Sequence, residues 1–172
     1  MRKVILNGCY GGYRWSIKGV YAVLKKKDIA VKFMATVYPQ SGEPEDVELS
    51  ESEFFRIVRS IKGDSECGLY GLYVSDLHFE DNNGNCYYEH SINRTDPVAI
   101  EVLETLGSEY CSSDCSELYV DEYDEELFDW GIDEYDGVEN LKLIPLIDEK
   151  RIRSCKSVDE IVDLLKRTHV IK

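Results

Sequence analysis

A chain of 172 residues, 43% of them hydrophobic and only four of them proline, has enough apolar material for one ordinary domain and lacks the makeup of a disordered protein. Its net charge of −14 comes from 34 acids against 20 bases. Residues 109–139 hold 13 of those acids and no Lys or Arg, a single-sign segment that repels phosphate backbones and argues against direct nucleic-acid binding. Apolar runs are only a few residues long, so neither a secretory leader nor a membrane span is expected and the chain reads as intracellular, not secreted.

In chain order, the first predicted element is a strand over "KVILN" (3–7), rich in branched aliphatic residues. It runs into "GCYGGYRWS", where Gly8, Gly11 and Gly12 mark a turn. Ser16 is placed to cap a helix with the stripe Ile17, Val20, Tyr21 and Leu24, ending in Lys25, Lys26 and Lys27, cations suited to the negative end of a helix dipole. A strand over 29–38 precedes "PQSGEPEDVEL" (39–49), expected as a surface loop. Ser50 with Glu53 predicts a capping box for a helix carrying Phe54, Ile57, Val58 and Ile61, with Gly63 as its stop.

Strands over 71–79 and 86–92 flank Asn83-Gly84, a pair that favours a type I′ hairpin turn. That turn would set His78 across from Glu89 and His90 across from Leu77. Asp96 is placed to cap a helix with Pro97 at its first position, the stripe Ala99, Val102, Leu103 and Leu106, and Gly107 as terminator. Strands over 117–123, 128–135 and 141–147 follow, and Ser157 with Glu160 opens a last helix carrying Ile161, Leu164 and Leu165. Four short amphipathic helices among strands that do not alternate with them predict a single α+β domain over 1–172, with a mixed or antiparallel sheet.

Pairing 117–123 with 128–135 would make 109–139 an acidic β-hairpin region. Period-two alternation then puts Leu118, Val120, Phe128, Trp130 and Ile132 on one side, and Tyr119, Asp121, Tyr123, Asp129, Asp133 and Tyr135 on the other. The second side is either a solvated charged face or a docking surface, where tyrosines supply anchor area and carboxylates steer a basic partner.

The six cysteines fit a reduced compartment better than a disulfide framework. "CSSDC" (Cys111 and Cys115) lacks the spacing of a redox pair or zinc knuckle and would need Cys9, Cys67 or a histidine to complete a metal site. No metal and no cofactor are expected.

"KVILNGCYGGYRWS", "INRTDPVAIEVLETLGSE" and "GIDEYDG" occur in an order and at a spacing that resemble a family of small uncharacterised proteins of bacteriophages and large DNA viruses. The resemblance covers about a third of the chain; a long middle (28–75) and a tail after Gly137 depart from it. It implies a viral origin rather than a reaction. On these motifs the candidate ligand-binding residues are Cys9, Tyr10, Gly11, Gly12, Arg94, Asp96, Tyr135 and Asp136. Arg94 offers a planar fork for phosphate or carboxylate, Asp96 is a ligand group or only a cap, and Tyr10 and Tyr135 could stack on a base or sugar. Cys9 becomes a nucleophile only with a base beside it.

The glycine turn is open to two readings: an anion-holding nest at a helix start, or a tight turn that lets Tyr10 and Tyr13 pack. Neither G-x-x-x-x-G-K-[ST] nor G-x-G-x-x-G is present. The expected function is a viral accessory or virion-associated protein, non-enzymatic on balance, whose acidic tyrosine-rich face of Tyr119, Asp121, Tyr123, Asp129 and Asp133 binds a basic viral or host protein. The alternatives are a binder of a nucleotide-like anion, or a small hydrolase or transferase using Cys9 with Arg94 and Asp96 or Asp136. Self-association as a homodimer, acidic segment against Lys25–Lys27 or Lys150, Arg151, Arg153 and Lys156, is also expected. No membrane contact is expected, and the place of action is the host cytoplasm or the virion.

Overall fold

The computed structural model describes residues 1–39, 42–60, 68–69 and 72–169. Strand β1 (Arg2–Asn7) buries Val4, Ile5 and Leu6 completely, because both of its faces are covered. It pairs antiparallel with β7 (Leu118–Tyr123), Ile5 opposite Val120 and Asn7 opposite Leu118. Helix α3 (Pro97–Leu106) contacts this pair, and strand β9 (Val138–Pro145) contacts β1.

A second antiparallel sheet has the order β3 (Glu45–Leu49), β2 (Val31–Tyr38), β5 (Leu72–Asp81) and β4 (Gly68–Leu69), with β6 (Cys86–Tyr87) also pairing β5. One face packs on α1 (Ile17–Lys26) and α2 (Glu51–Ser60), where Tyr21, Phe33, Phe54, Phe55 and Phe79 meet at centroid separations of 5.1–5.9 Å. Alternation along β2 sends Phe33, Ala35 and Val37 into this core. The third sheet is the ribbon β8 (Phe128–Tyr135) with β9. Short helices α4 (Ser108–Cys111), α5 (Glu149–Ser154) and α6 (Val158–Arg167) complete the described chain, which is of the α+β class.

The four predicted helices form, and their caps explain where they start. Ser16 Oγ accepts from Gly19 N at 2.9 Å, and Asp96 Oδ1 from Val98 N and Ala99 N. Ser50 and Glu53 bond reciprocally as a capping box. Ser157 Oγ caps Glu160 N, whose carboxylate returns to Lys156 N instead. Gly63 and Ile61 lie outside the described residues, as does Cys67.

Several expectations need correction. Residues 39–49 are not wholly a loop: 45–49 form β3, whose charged Glu45, Asp46 and Glu48 suit an exposed sheet edge. Strand 86–92 is only two residues long, and helices α4 and α5 carried too few apolar positions to show periodicity. The Asn83-Gly84 turn is not type I′, since only Gly84 has positive φ, and residues 82–84 loop between bonded Asp81 and Asn85. The register shifts by one as a result: Phe79 faces Tyr87, and His78 stacks on Tyr88 at 4.8 Å instead of meeting Glu89.

The acidic hairpin is also re-paired. Strand 117–123 goes to β1, while 128–135 turns back on 138–145. The two-residue turn Asp136–Gly137, both at positive φ, closes a tighter hairpin than the acidic loop 124–127 could.

Candidate functional site

Asn7 ends β1 and is fully buried, so its polar groups must find partners inside the protein. Its Nδ2 donates to the carbonyls of Cys9 and Gly137 at 2.5 and 2.7 Å, and its Oδ1 accepts from Glu117 N at 2.8 Å. Its backbone N donates to Glu139 Oε2 at 2.9 Å. Glu139, 4% exposed, is held by both terminal nitrogens of Arg94 at 2.6 Å each, a bidentate fork. Arg94 Nη1 also donates to Ile5 O, while Ile5 N donates to Arg94 O at 2.8 Å. The guanidinium lies 3.7 Å from the Tyr13 ring centroid, a cation–π contact. Tyr13 Oη in turn donates to Ile92 O and accepts from Trp15 Nε1. Burial pushes the Tyr13 phenol up to about 12, against smaller opposing effects of the Trp15 N–H and the Arg94 cation. A buried polar knot therefore joins the glycine turn, the Arg-Thr-Asp-Pro segment and the ribbon.

The hydrogen bonds on either side of the turn bear on its two readings. Gly8 N donates to Glu117 O, Trp15 N to Glu89 O and Ser16 N to Cys111 O, and Ser16 Oγ takes Gly19 N. These amides are spent on the protein's own acceptors, and Arg94 is spent on Glu139. The glycines serve close approach: a Cβ at Gly11 would lie 1.2 Å from Cys115 O, and one at Gly137 would lie 2.6 Å from Tyr10 O. Tyr13 packs beneath the Arg94 guanidinium, as expected of a tight turn, whereas Tyr10 does not pack and is 73% exposed.

Of the other candidates, Asp96 caps α3 and pairs with Lys27. Burial pushes its carboxyl up, but Lys27 and the Val98 and Ala99 amides outweigh this and hold it below its ordinary value. Cys9 Sγ touches Asn7 Oδ1 at 3.7 Å and Cys115 O at 3.3 Å, neither of which can take a proton as a base. Among the described residues no group of three His, Cys, Asp or Glu is placed to hold a metal ion. Likewise no described helix is long and apolar enough to cross a membrane.

The expected partner face is divided between two sheets. Tyr119, Asp121 and Tyr123 turn toward the ribbon: Tyr119 Oη donates to Glu139 O, and Tyr123 is buried in a small second core with Leu127 and Phe128, against Trp130, Leu141 and Leu164. Asp129, Asp133 and Tyr135 remain on one exposed row of β8. Some acids are neutralised nearby, Glu125 by Arg2 and Glu122 by Lys3. Others cap backbone amides, as Asp129 does for Trp130 N.

What stays open is a corner. The ribbon turn sits on the backbone of Tyr10–Gly12, and Tyr10 and Tyr135, on the two touching turns, are 73% and 80% exposed. Asp133, Glu134 and Asp136 are exposed beside them and have no ion pair among the described residues. Sequence reasoning missed Asn7, Tyr13 and Glu139 as members of the knot. The available signal was Asn7 itself, a polar residue ending an otherwise apolar strand. No family model, curated protein or solved structure matches the chain.

Proposed function

We propose that this chain is a non-enzymatic interaction module, of the viral accessory kind its motifs resemble, that captures a basic segment of a viral or host protein on the Tyr10/Tyr135 corner. It would act in the host cytoplasm or packaged in the virion. The observation that supports this is the exposure of those two tyrosines, 73% and 80%, on turns that Asn7 ties together through the Cys9 and Gly137 carbonyls. Large aromatic side chains left in water contribute nothing to the core, yet they supply anchor area and ring faces for Arg or Lys. The neighbouring carboxylates raise the encounter rate with a cationic partner. A nucleotide-like anion is disfavoured because Arg94, the cation expected to hold it, is already engaged by Glu139.

The test is calorimetric titration with an Arg- and Lys-rich peptide, comparing the unaltered protein with Tyr10→Ala/Tyr135→Ala. The substitution leaves the net charge at −14. At least a tenfold loss of affinity, about 1.4 kcal/mol, is expected. Equal affinity would mean that the peptide responds to charge alone, and the proposal would fall.

A further inference from the structure

The outer face of the ribbon carries two parallel rows of opposite character. In the β8–β9 register Asp129 pairs with Ile144, Gly131 with Lys142 and Asp133 with Asn140, so these residues share one side of the ribbon. The other side is the covered one, where Phe128, Trp130 and Leu141 pack on Tyr123. On the outer side β8 shows an acid, a gap and an acid: Asp129, Gly131, Asp133. Alongside, β9 and its continuation show Lys142, Ile144 and Leu146, the last two 45% and 40% exposed. Lys142 has no ion pair among the described residues. Ile144 leans to the midline, its Cδ1 only 3.6 Å from where a Gly131 Cβ would be.

Such a surface is complementary to itself. Rotating a second ribbon by 180° about an axis along the strands lays β8 of one copy over β9 of the other. Each Lys142 then faces the partner's Gly131, between the partner's Asp129 and Asp133, and each Ile144 lies over the partner's Asp129 with its side chain leaning to the axis toward the partner's Ile144. An apolar centre with charged flanks is the usual anatomy of a protein contact, and an isologous contact requires this kind of self-matching. We propose that this ribbon face is the docking surface for a second copy of the chain. It shares Asp133 with the carboxylates beside the tyrosine corner, but Asp129, Lys142 and Ile144 are not part of that corner.

A ribbon of eight residue pairs is about 27 Å long, which gives less contact than the roughly 800 Å² per partner of a standard interface. The dimer is therefore weak and concentration-dependent. Two copies at −14 each repel at long range, but at about 0.15 M salt the Debye length is about 8 Å, so the contact pairs outlast the repulsion.

Sedimentation equilibrium over a concentration series at that salt tests the proposal. The average mass of the unaltered chain should rise from 19.8 kDa toward twice that value, and Ile144→Glu, which places two like charges on the axis, should weaken association at least tenfold. Lys142→Asp alone and Asp129→Lys/Asp133→Lys alone should each stay monomeric, whereas their mixture should form heterodimers. A monomer at every concentration overturns the proposal, as does a dimer indifferent to Ile144→Glu or a mixture no more associated than its parts. A dimer lost only on Tyr10→Ala/Tyr135→Ala would overturn it too, by moving the contact to the corner.

Discussion

Glu139→Ala should be the most informative single change to the knot. It removes a carboxylate that is 4% exposed and satisfies both arms of Arg94 and the Asn7 amide. Removing one partner of a buried pair costs about 3–5 kcal/mol because the remaining charge has lost its compensation. The orphaned Asn7 N–H would add roughly 1–3 kcal/mol if no water reached it. The Arg94 side chain is 21% exposed, so water recovers part of this, and about 3 kcal/mol is expected. With a urea m-value of about 2 kcal/mol/M, the unfolding midpoint falls by about 1.5 M. Glu139→Gln keeps one acceptor oxygen and the side-chain shape, and should fall by less. Arg94→Met/Glu139→Leu should cost much less than the two single changes combined, since an apolar pair leaves no buried charge unmatched. A Glu139→Ala midpoint indistinguishable from that of the unaltered chain, or single changes that simply add in the double, would refute the claim that the knot holds the ribbon to the body.

Alanine at the glycines should rank by what a Cβ would meet. Gly11→Ala, 1.2 Å from the Cys115 carbonyl oxygen, should prevent normal packing of the turn and show the largest drop in melting temperature. Gly12→Ala, at φ +78 but in open space, should cost only the left-handed strain of about 1–2 kcal/mol. Asp81 is held by the Asn85 side chain and amide, then by Asn83 N and Tyr87 Oη, which lower its carboxyl from the ordinary 3.8 to about 2. A depressed folded value stabilises above the unfolded value, so the stability gap between the unaltered chain and Asp81→Asn should be constant above about pH 5 and close between about pH 4 and 2. Urea melts across that range check it. Among the described thiols, Cys111 is fully buried and burial pushes it up to about 11, while Cys86 and Cys115 are exposed. Timed labelling with a disulfide reagent should modify Cys86 and Cys115 first and Cys111 only on unfolding.

Helix starts were legible because a cap is a local device: Ser16, Ser50, Asp96 and Ser157 each bond within four residues of themselves. Strand pairing was not, since alternation gives a face but no partner. Leu118–Tyr123 and Phe128–Tyr135 have the lengths and alternation of a hairpin, yet the acidic link between them folds back on itself, with Asp124 O accepting from Leu127 N and Phe128 N. The chain then finds better closure at Asp136–Gly137, the last two residues of "GIDEYDG", both at positive φ.

The candidate site shows the same division between local and distant information. Arg94, Gly11 and Gly12 stood out by residue type, and the type was informative, but each owes its place to a segment far along the chain. Arg94 meets Glu139, 45 residues on, and Asn7 meets Gly137, 130 residues on. These contacts converge because β1 is central: β7 takes one edge, Arg94 O takes Ile5 N at the other, and β9 crosses its end. An arginine fork beside a glycine-rich turn thus resembles an anion site in one dimension, while in three the fork is bound by Glu139. Chemistry directed outward has to come from the side chains the knot leaves unused, which on these turns are Tyr10 and Tyr135, both held in solvent.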